Sequence, residues 1–197
     1  MKDKVDKEPA PRNTILYAPN VIGYVRAILL LLSTLFESRG FVLLYSLSYL
    51  LDALDGHMAR RLKQESELGY ILDMSIDRAS TGVLLVRISA AYPHISTMLG
   101  PCLVLDIVSH MFCVACRFLK KTSHKAHGGG GAIDKVLSVY YAKPVLFLVC
   151  LGAEVFLLNV LYFHSIFLLK VTGAVFLFKQ ATNILQLYKA LCTLGTE

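Results

Sequence analysis

Long apolar runs separated by short polar breaks dominate the pattern along this chain. The runs cover residues 20–37, 41–62, 68–92, 95–119, 142–162 and 166–190. Each is close to the ~20 residues that cross about 30 Å of hydrocarbon as a helix. The pattern therefore predicts six transmembrane helices. Breaks fall at Glu37-Ser38-Arg39-Gly40, at Arg60-Arg61-Leu62-Lys63, at Tyr92-Pro93-His94 and around Arg117, Lys120 and Lys121. Residues 15–19 predict a short interfacial piece, broken at Pro19. Residues 1–14 predict a disordered polar tail, and residues 120–138 a flexible loop with Gly128 to Gly131 in a row. Residues 15–193 are expected to form a single all-α integral-membrane domain.

Composition supports that class. The chain is 55% hydrophobic and 17% charged, with mean hydropathy +0.57. A soluble domain carries about 25% charged residues. The net charge is +6, and its basic groups lie between the apolar runs. That placement fits loops facing anionic lipid, and no base-reading motif accompanies them, so nucleic acid is excluded as a partner. Lys2, Lys4, Lys7, Arg12, Arg60, Arg61, Lys63, Arg117, Lys120, Lys121, Lys125 and Lys135 fall on one set of loops. The opposite set holds Arg39, with Lys170 at the border. The positive-inside rule then puts both termini in the cytosol. The polar N-terminal stretch lacks a short apolar core with a cleavage site, so the first span is expected to serve as an uncleaved insertion signal.

The five cysteines (Cys102, Cys113, Cys116, Cys150 and Cys192) all sit in apolar context. Cys113-Val-Ala-Cys116 has no second pair, and inert packing is the expected role. The glycine run lacks the Gly-Lys-Ser/Thr of a phosphate-binding loop. His124 and His127 lack a third ligand for zinc.

Four aspartates carry the chemistry. Asp52 and Asp55 lie in LLDALDGHMARRL, and Asp73 and Asp77 in GYILDMSIDRAS. A carboxylate near the bilayer centre costs roughly 2.5–3.5 kcal/mol. Four together require compensation, and divalent Mg²⁺ or Mn²⁺ favours such oxygen ligands. Spacings of three and four put each pair on one helix face. Two facing helices can then present four carboxylates to one or two ions that clamp a diphosphate. Gly56 and Ala59 lie on the same side of the second helix and admit a bulky ligand or a partner helix. Arg60 supplies a forked cation for phosphate. Snorkelling charges at loop ends explain Asp52 or Arg60 singly, but not the ordered string.

That string, D-x2-D-G-x2-A-R-x8-G-x3-D-x3-D over residues 52–77, resembles the signature of the CDP-alcohol phosphatidyltransferase family. The resemblance implies an integral-membrane enzyme with six transmembrane helices around a polar, cytosol-facing active-site cavity. It implies transfer of a phosphatidyl or related group from a CDP-linked lipid to an alcohol, with release of CMP. By the same resemblance Asp52, Asp55 and Asp73 ligate metal, and Asp77 is both a shared ligand and the catalytic base. Gly56, Ala59, Arg60, Ser66 and Gly69 would surround the cytidine diphosphate. A homodimer in the endoplasmic reticulum or Golgi is also implied.

Segments outside the signature narrow the resemblance. PNVIGYVR, LDIVSH, TSHK and YYAKP are similar to the eukaryotic branch whose substrates are CDP-diacylglycerol and myo-inositol. A polyol acceptor needs a hydroxyl-rich pocket, and intramembrane polar residues are the candidates. These are Asn20, Arg26, Arg78, Asp106, Ser109, His110, Lys143 and Lys179. Lys179 lies mid-span, where snorkelling is hard. An Arg26–Asp106 salt bridge and an interfacial Lys143 are the plain structural alternatives. Glycerol 3-phosphate or serine would be the acceptors of sibling enzymes. A cation transporter is the reading from another class, although an arginine beside the site repels cations. A soluble prenyl-diphosphate synthase conflicts with the apolar composition.

Overall fold

The computed structural model describes residues 13–119 and 131–195. The expected tail up to residue 12, most of the glycine run, His124 and His127 lie outside the described residues. Among the described residues every regular element is helical: α1 (Ala18–Ser33), α2 (Ser38–Leu62), α3 (Glu67–Ala91), α4 (Ser96–Leu119), α5 (Ala132–Tyr140), α6 (Lys143–Leu158) and α7 (Ile166–Gly195). Each of the six predicted runs is one of these helices.

Three local expectations need correction. Pro19 does not break the chain. It sits in the first turn of α1, where no intrahelical donor is lost. A 3-10 turn, Thr14–Leu16, precedes it. The first run stops early, at Ser33 rather than residue 37. The Ser33 and Thr34 hydroxyls donate back to Leu30 O and Leu31 O, both at 2.6 Å, and such bonds compete with the helical ladder. The loop expected to reach residue 138 gives way to α5. Its Ile133, Leu137 and Tyr140 repeat at helical spacing, Leu137 and Tyr140 are buried, and Asp134 pairs with Lys189 of α7.

The chain divides into two compact units at Ile76/Asp77, inside α3. In the first, α1 and α2 pack along their lengths, joined by a short turn. In the second, α4, α5 and α6 each pack against α7. A π-helical turn, Asn159–Phe163, extends α6. The Asn159 side chain closes it, donating to Ser165 O at 3.0 Å and accepting from Ser165 N at 2.9 Å.

Polarity runs opposite to that of a soluble domain. Leu31, Leu35, Met98, Phe167 and Leu177 are exposed, whereas Asn20, Arg26, Asp106, Lys179 and Asn183 are buried. Pro93–Leu119 and Lys143–Phe163 are long and apolar enough to cross a bilayer. An apolar exterior around polar interior groups fits insertion in lipid, where a buried ionic residue needs partners.

Close helix approach in the second unit depends on glycine. A Cβ on Gly152 of α6 would lie 2.8 Å from Val175 Cγ1 of α7, and a β-branched side chain cannot easily rotate away. Gly152→Ala is expected to cost about 1–3 kcal/mol through overpacking. Gly100→Ala, where an added Cβ meets nothing within 4 Å, should be neutral or slightly stabilising. Thermal unfolding of both variants in detergent checks the contrast.

Candidate active site

The acidic cluster assembles within the first unit. Asp52 and Asp55 leave one face of α2, and Asp73 comes from α3. One carboxylate oxygen of each lies within 4.8 Å of the others. Three hard oxygen donors at that separation suit a divalent ion. Asp55 is the deepest, with 12% side-chain exposure against 37% for Asp52 and 40% for Asp73.

Arg26 of α1 reaches all three. Its Nη2 is 2.7 Å from Asp52 Oδ1, and its Nη1 is 2.7 Å from Asp55 Oδ2 and 3.1 Å from Asp73 Oδ1. The side chain is only 2% exposed. The expected Arg26–Asp106 alternative is therefore incorrect: both partners are committed elsewhere. Three carboxylates outbid one, and a planar fork of donors satisfies several acceptors at once. Ser48 Oγ of α2 also donates to Arg26 O at 2.9 Å, fixing α1 beside the cluster.

The rest of the signature builds the turn between α2 and α3. Arg60 and Arg61 end α2, where cations meet the negative end of the helix dipole. Lys63 adopts a left-handed conformation (φ 54°), and Gln64 N donates to Ala59 O at 2.9 Å. Ser66 then caps α3: its Oγ accepts from Gly69 N at 3.0 Å. Asn20 Nδ2 donates to the same hydroxyl at 3.3 Å and to Thr14 O at 2.7 Å. A Cβ on Gly69 would fall 2.7 Å from Asn20 Oδ1, so glycine is required there by the cap. At Gly56 an added Cβ would lie 3.4 Å from Arg60 Nη1, an ordinary contact that places this guanidinium over Gly56. Ala59 is half-buried, and Arg60 is exposed.

A second polar cluster occupies the interior of the second unit. Asp77 begins it, and Arg78 Nη2 stands 3.8 Å from Asp77 Oδ2. Arg78 Nη1 bonds Asp106 Oδ1 at 2.7 Å and Oδ2 at 2.9 Å. Asn183 Nδ2 donates to Asp106 Oδ1 at 3.1 Å. His110 Nδ1 lies 2.7 Å from Asp106 O. A carbonyl only accepts, so that nitrogen carries the hydrogen. Ser109 Oγ donates to the same carbonyl at 3.2 Å. The charge of Lys179, a residue 3% exposed, also acts on Asp106.

Of the predicted pocket residues, Arg78, Asp106, Ser109, His110 and Lys179 thus come together. Asn20 and Arg26 belong to the first unit. Lys143 stands exposed at the first position of α6. Sequence reasoning missed Thr81, Glu154, Asn183 and Gln186. Thr81 Oγ1 donates to Glu154 Oε1 at 2.9 Å. Gln186 Nε2 donates to Tyr141 OH at 2.6 Å. Glu154 is 6% exposed. It lies in the middle of the fifth apolar run, and a mid-span charge is the signal that singled out Lys179. Cys113 and Cys116 are buried and form no disulfide, and Cys116 Sγ donates to Ala190 O at 3.5 Å.

Comparison with known proteins agrees with the motif. The family model described as CDP-alcohol phosphatidyltransferase matches residues 16–176. A Saccharomyces cerevisiae CDP-diacylglycerol--inositol 3-phosphatidyltransferase is 40% identical over 190 residues, covering 90% of this chain and 86% of the relative. The Candida albicans protein of that name is 36% identical over 190 residues, covering 91% and 82%. The human one is 37% identical over 160 residues, covering 77% and 73%. No solved structure matches the chain. The acidic signature, its assembled carboxylates and a family match over most of the sequence lead to one conclusion: the chain belongs to the CDP-alcohol phosphatidyltransferase family.

Proposed function

We propose that this protein transfers the phosphatidyl group of CDP-diacylglycerol to myo-inositol, giving phosphatidylinositol and CMP. The observation that carries the proposal is the convergence of Asp52, Asp55 and Asp73 in a chain 40% identical, over 90% of its length, to a relative named for that activity. The polar cluster of the second unit supports a polyol acceptor, since it offers both donors and acceptors to hydroxyl groups.

The three clustered carboxylates would hold Mg²⁺ or Mn²⁺, with Asp77 added by the family motif. When bound, such an ion supplies charge neutralisation to a diphosphate. The protein's own groups do the rest. Arg60 donates to phosphate oxygens at the exposed end of α2. Gly56 and Ala59 leave the backbone open for the cytidine diphosphate, and the Ser66-capped turn sets where α3 starts. Asp77 takes the proton from an inositol hydroxyl. The freed oxygen attacks the lipid-side phosphorus, the bond to the CMP oxygen breaks, and CMP departs. Positioning and electrostatics supply most of the rate at phosphorus.

Acceptor choice rests on the second cluster. Glu154 accepts from an inositol hydroxyl, and Lys179 and Asn183 donate to others. A buried carboxylate there disfavours an acceptor that carries phosphate, such as glycerol 3-phosphate. Six of the helices, α1–α4, α6 and α7, serve as the transmembrane spans. Both ends and the catalytic cavity face the cytosol, as the placement of basic residues suggests. The enzyme acts in the endoplasmic reticulum or Golgi membrane, as a homodimer, with residues 15–193 as one catalytic domain.

The primary test supplies CDP-diacylglycerol with radiolabelled inositol, glycerol 3-phosphate or serine. Label should enter lipid from inositol alone, cease in EDTA and return with Mg²⁺ or Mn²⁺. Incorporation of either other acceptor at a comparable rate would overturn the assignment. Asp77→Asn should lower kcat by at least about 100-fold, the range of a lost general base, while cytidine nucleotide still binds in equilibrium dialysis. Glu154→Gln should raise the inositol KM about tenfold, equivalent to roughly 1.4 kcal/mol, and leave the CDP-diacylglycerol KM unchanged. Equal losses for both substrates would assign Glu154 to structure alone.

A further inference from the structure

We propose that Arg26 is a built-in counter-cation: it holds the acidic cluster together without a divalent ion and lowers the affinity for one. The inference rests on the reading above, that Asp52, Asp55 and Asp73 hold such an ion. Its evidence is the side from which Arg26 arrives. The guanidinium is 2% exposed, whereas Asp52 and Asp73 keep 37% and 40% of their side chains accessible. Arg26 therefore approaches from the buried floor of the cluster. It engages one oxygen of each carboxylate, which leaves the second oxygen of each outside those three contacts.

Charge decides the sign of the effect. Without Arg26 the cluster carries three negative charges close together, with Asp55 largely hidden from water, and like charges so near one another repel. With it the excess is two. A divalent ion arriving at the accessible side draws on the same carboxylates and repels the guanidinium. Arg26 accordingly stabilises the metal-free protein more than the loaded one. A group with that preference must weaken metal binding, because linkage is reciprocal. A salt bridge indifferent to the metal would stabilise both forms alike and leave the affinity unchanged.

The test uses purified full-length protein in detergent and Mn²⁺ alone. Binding is followed by electron paramagnetic resonance and thermal unfolding by circular dichroism. Arg26→Gln should unfold at lower temperature in EDTA, and Mn²⁺ should raise its midpoint by more than it raises that of the wild type. Its Mn²⁺ affinity should rise about tenfold, within the usual range for coupled sites. Arg26→Lys keeps the charge but cannot fork across three carboxylates. It should fall between the two in EDTA and bind Mn²⁺ more tightly than wild type by a smaller factor. Folding of Arg26→Gln only when Mn²⁺ is present would also support the inference. If that variant folds in neither buffer, Arg26→Lys decides, and a wild-type Mn²⁺ affinity there overturns the idea. Unchanged or weaker Mn²⁺ binding by Arg26→Gln overturns it as well. Wild-type protein that takes up no Mn²⁺ would sink both this inference and the metal reading, whereas wild-type uptake with an unaltered variant sinks this one alone.

Discussion

Neutralising three carboxylates inside an apolar helical protein is the constraint on which the first unit depends. Asp52, Asp55 and Asp73 converge from two helices, and Arg26 meets all of them from a third. Mutual repulsion would otherwise push α2 and α3 apart. The surrounding contacts serve the same end. Ser48 ties α2 to the Arg26 backbone. Asn20 reaches across to the Ser66 cap, and Gln64 Oε1 accepts from Ala18 N at 3.1 Å at the start of α1. The start of α1 is thus joined to the turn between α2 and α3 by one backbone and one side-chain donor.

The second unit solves a similar problem with a different inventory. Asp106 is 1% exposed and takes bonds from Arg78 and Asn183, while Glu154 takes one from Thr81. Positive and negative groups alternate there, and amides and hydroxyls fill the gaps. These groups satisfy one another in the interior of the unit. In the first unit three carboxylates gather around one guanidinium, an arrangement that suits a divalent ion.

Much of this was legible beforehand. The six apolar runs are helices, the conformation in which a long apolar segment satisfies its backbone groups internally. The aspartate spacing placed Asp52 and Asp55 on one face, and the interval between Arg60 and Gly69 became a cap and a tight turn. Other features escaped. The helix at Ala132–Tyr140 is too short and too mixed in polarity to stand out beside runs twice its length. Glu154 was visible by the criterion applied to Lys179, a charge in the middle of an apolar run, and was overlooked. The pairing of Arg26 was misjudged because any buried arginine can pair with any buried aspartate until the helices are placed.

The sequence by itself determined which segments are helical, which residue types carry the chemistry, and the family to which the chain belongs. Those properties depend on local periodicity and on spacing within about one helical turn. Only the tertiary structure decided which charges meet. Arg26 lies 26 residues before Asp52 and 47 before Asp73, and Asp106 lies 77 before Asn183. Over such separations the partner is chosen by helix packing and by the cost of leaving a buried charge unpaired, and neither is written in the order of residues along one helix.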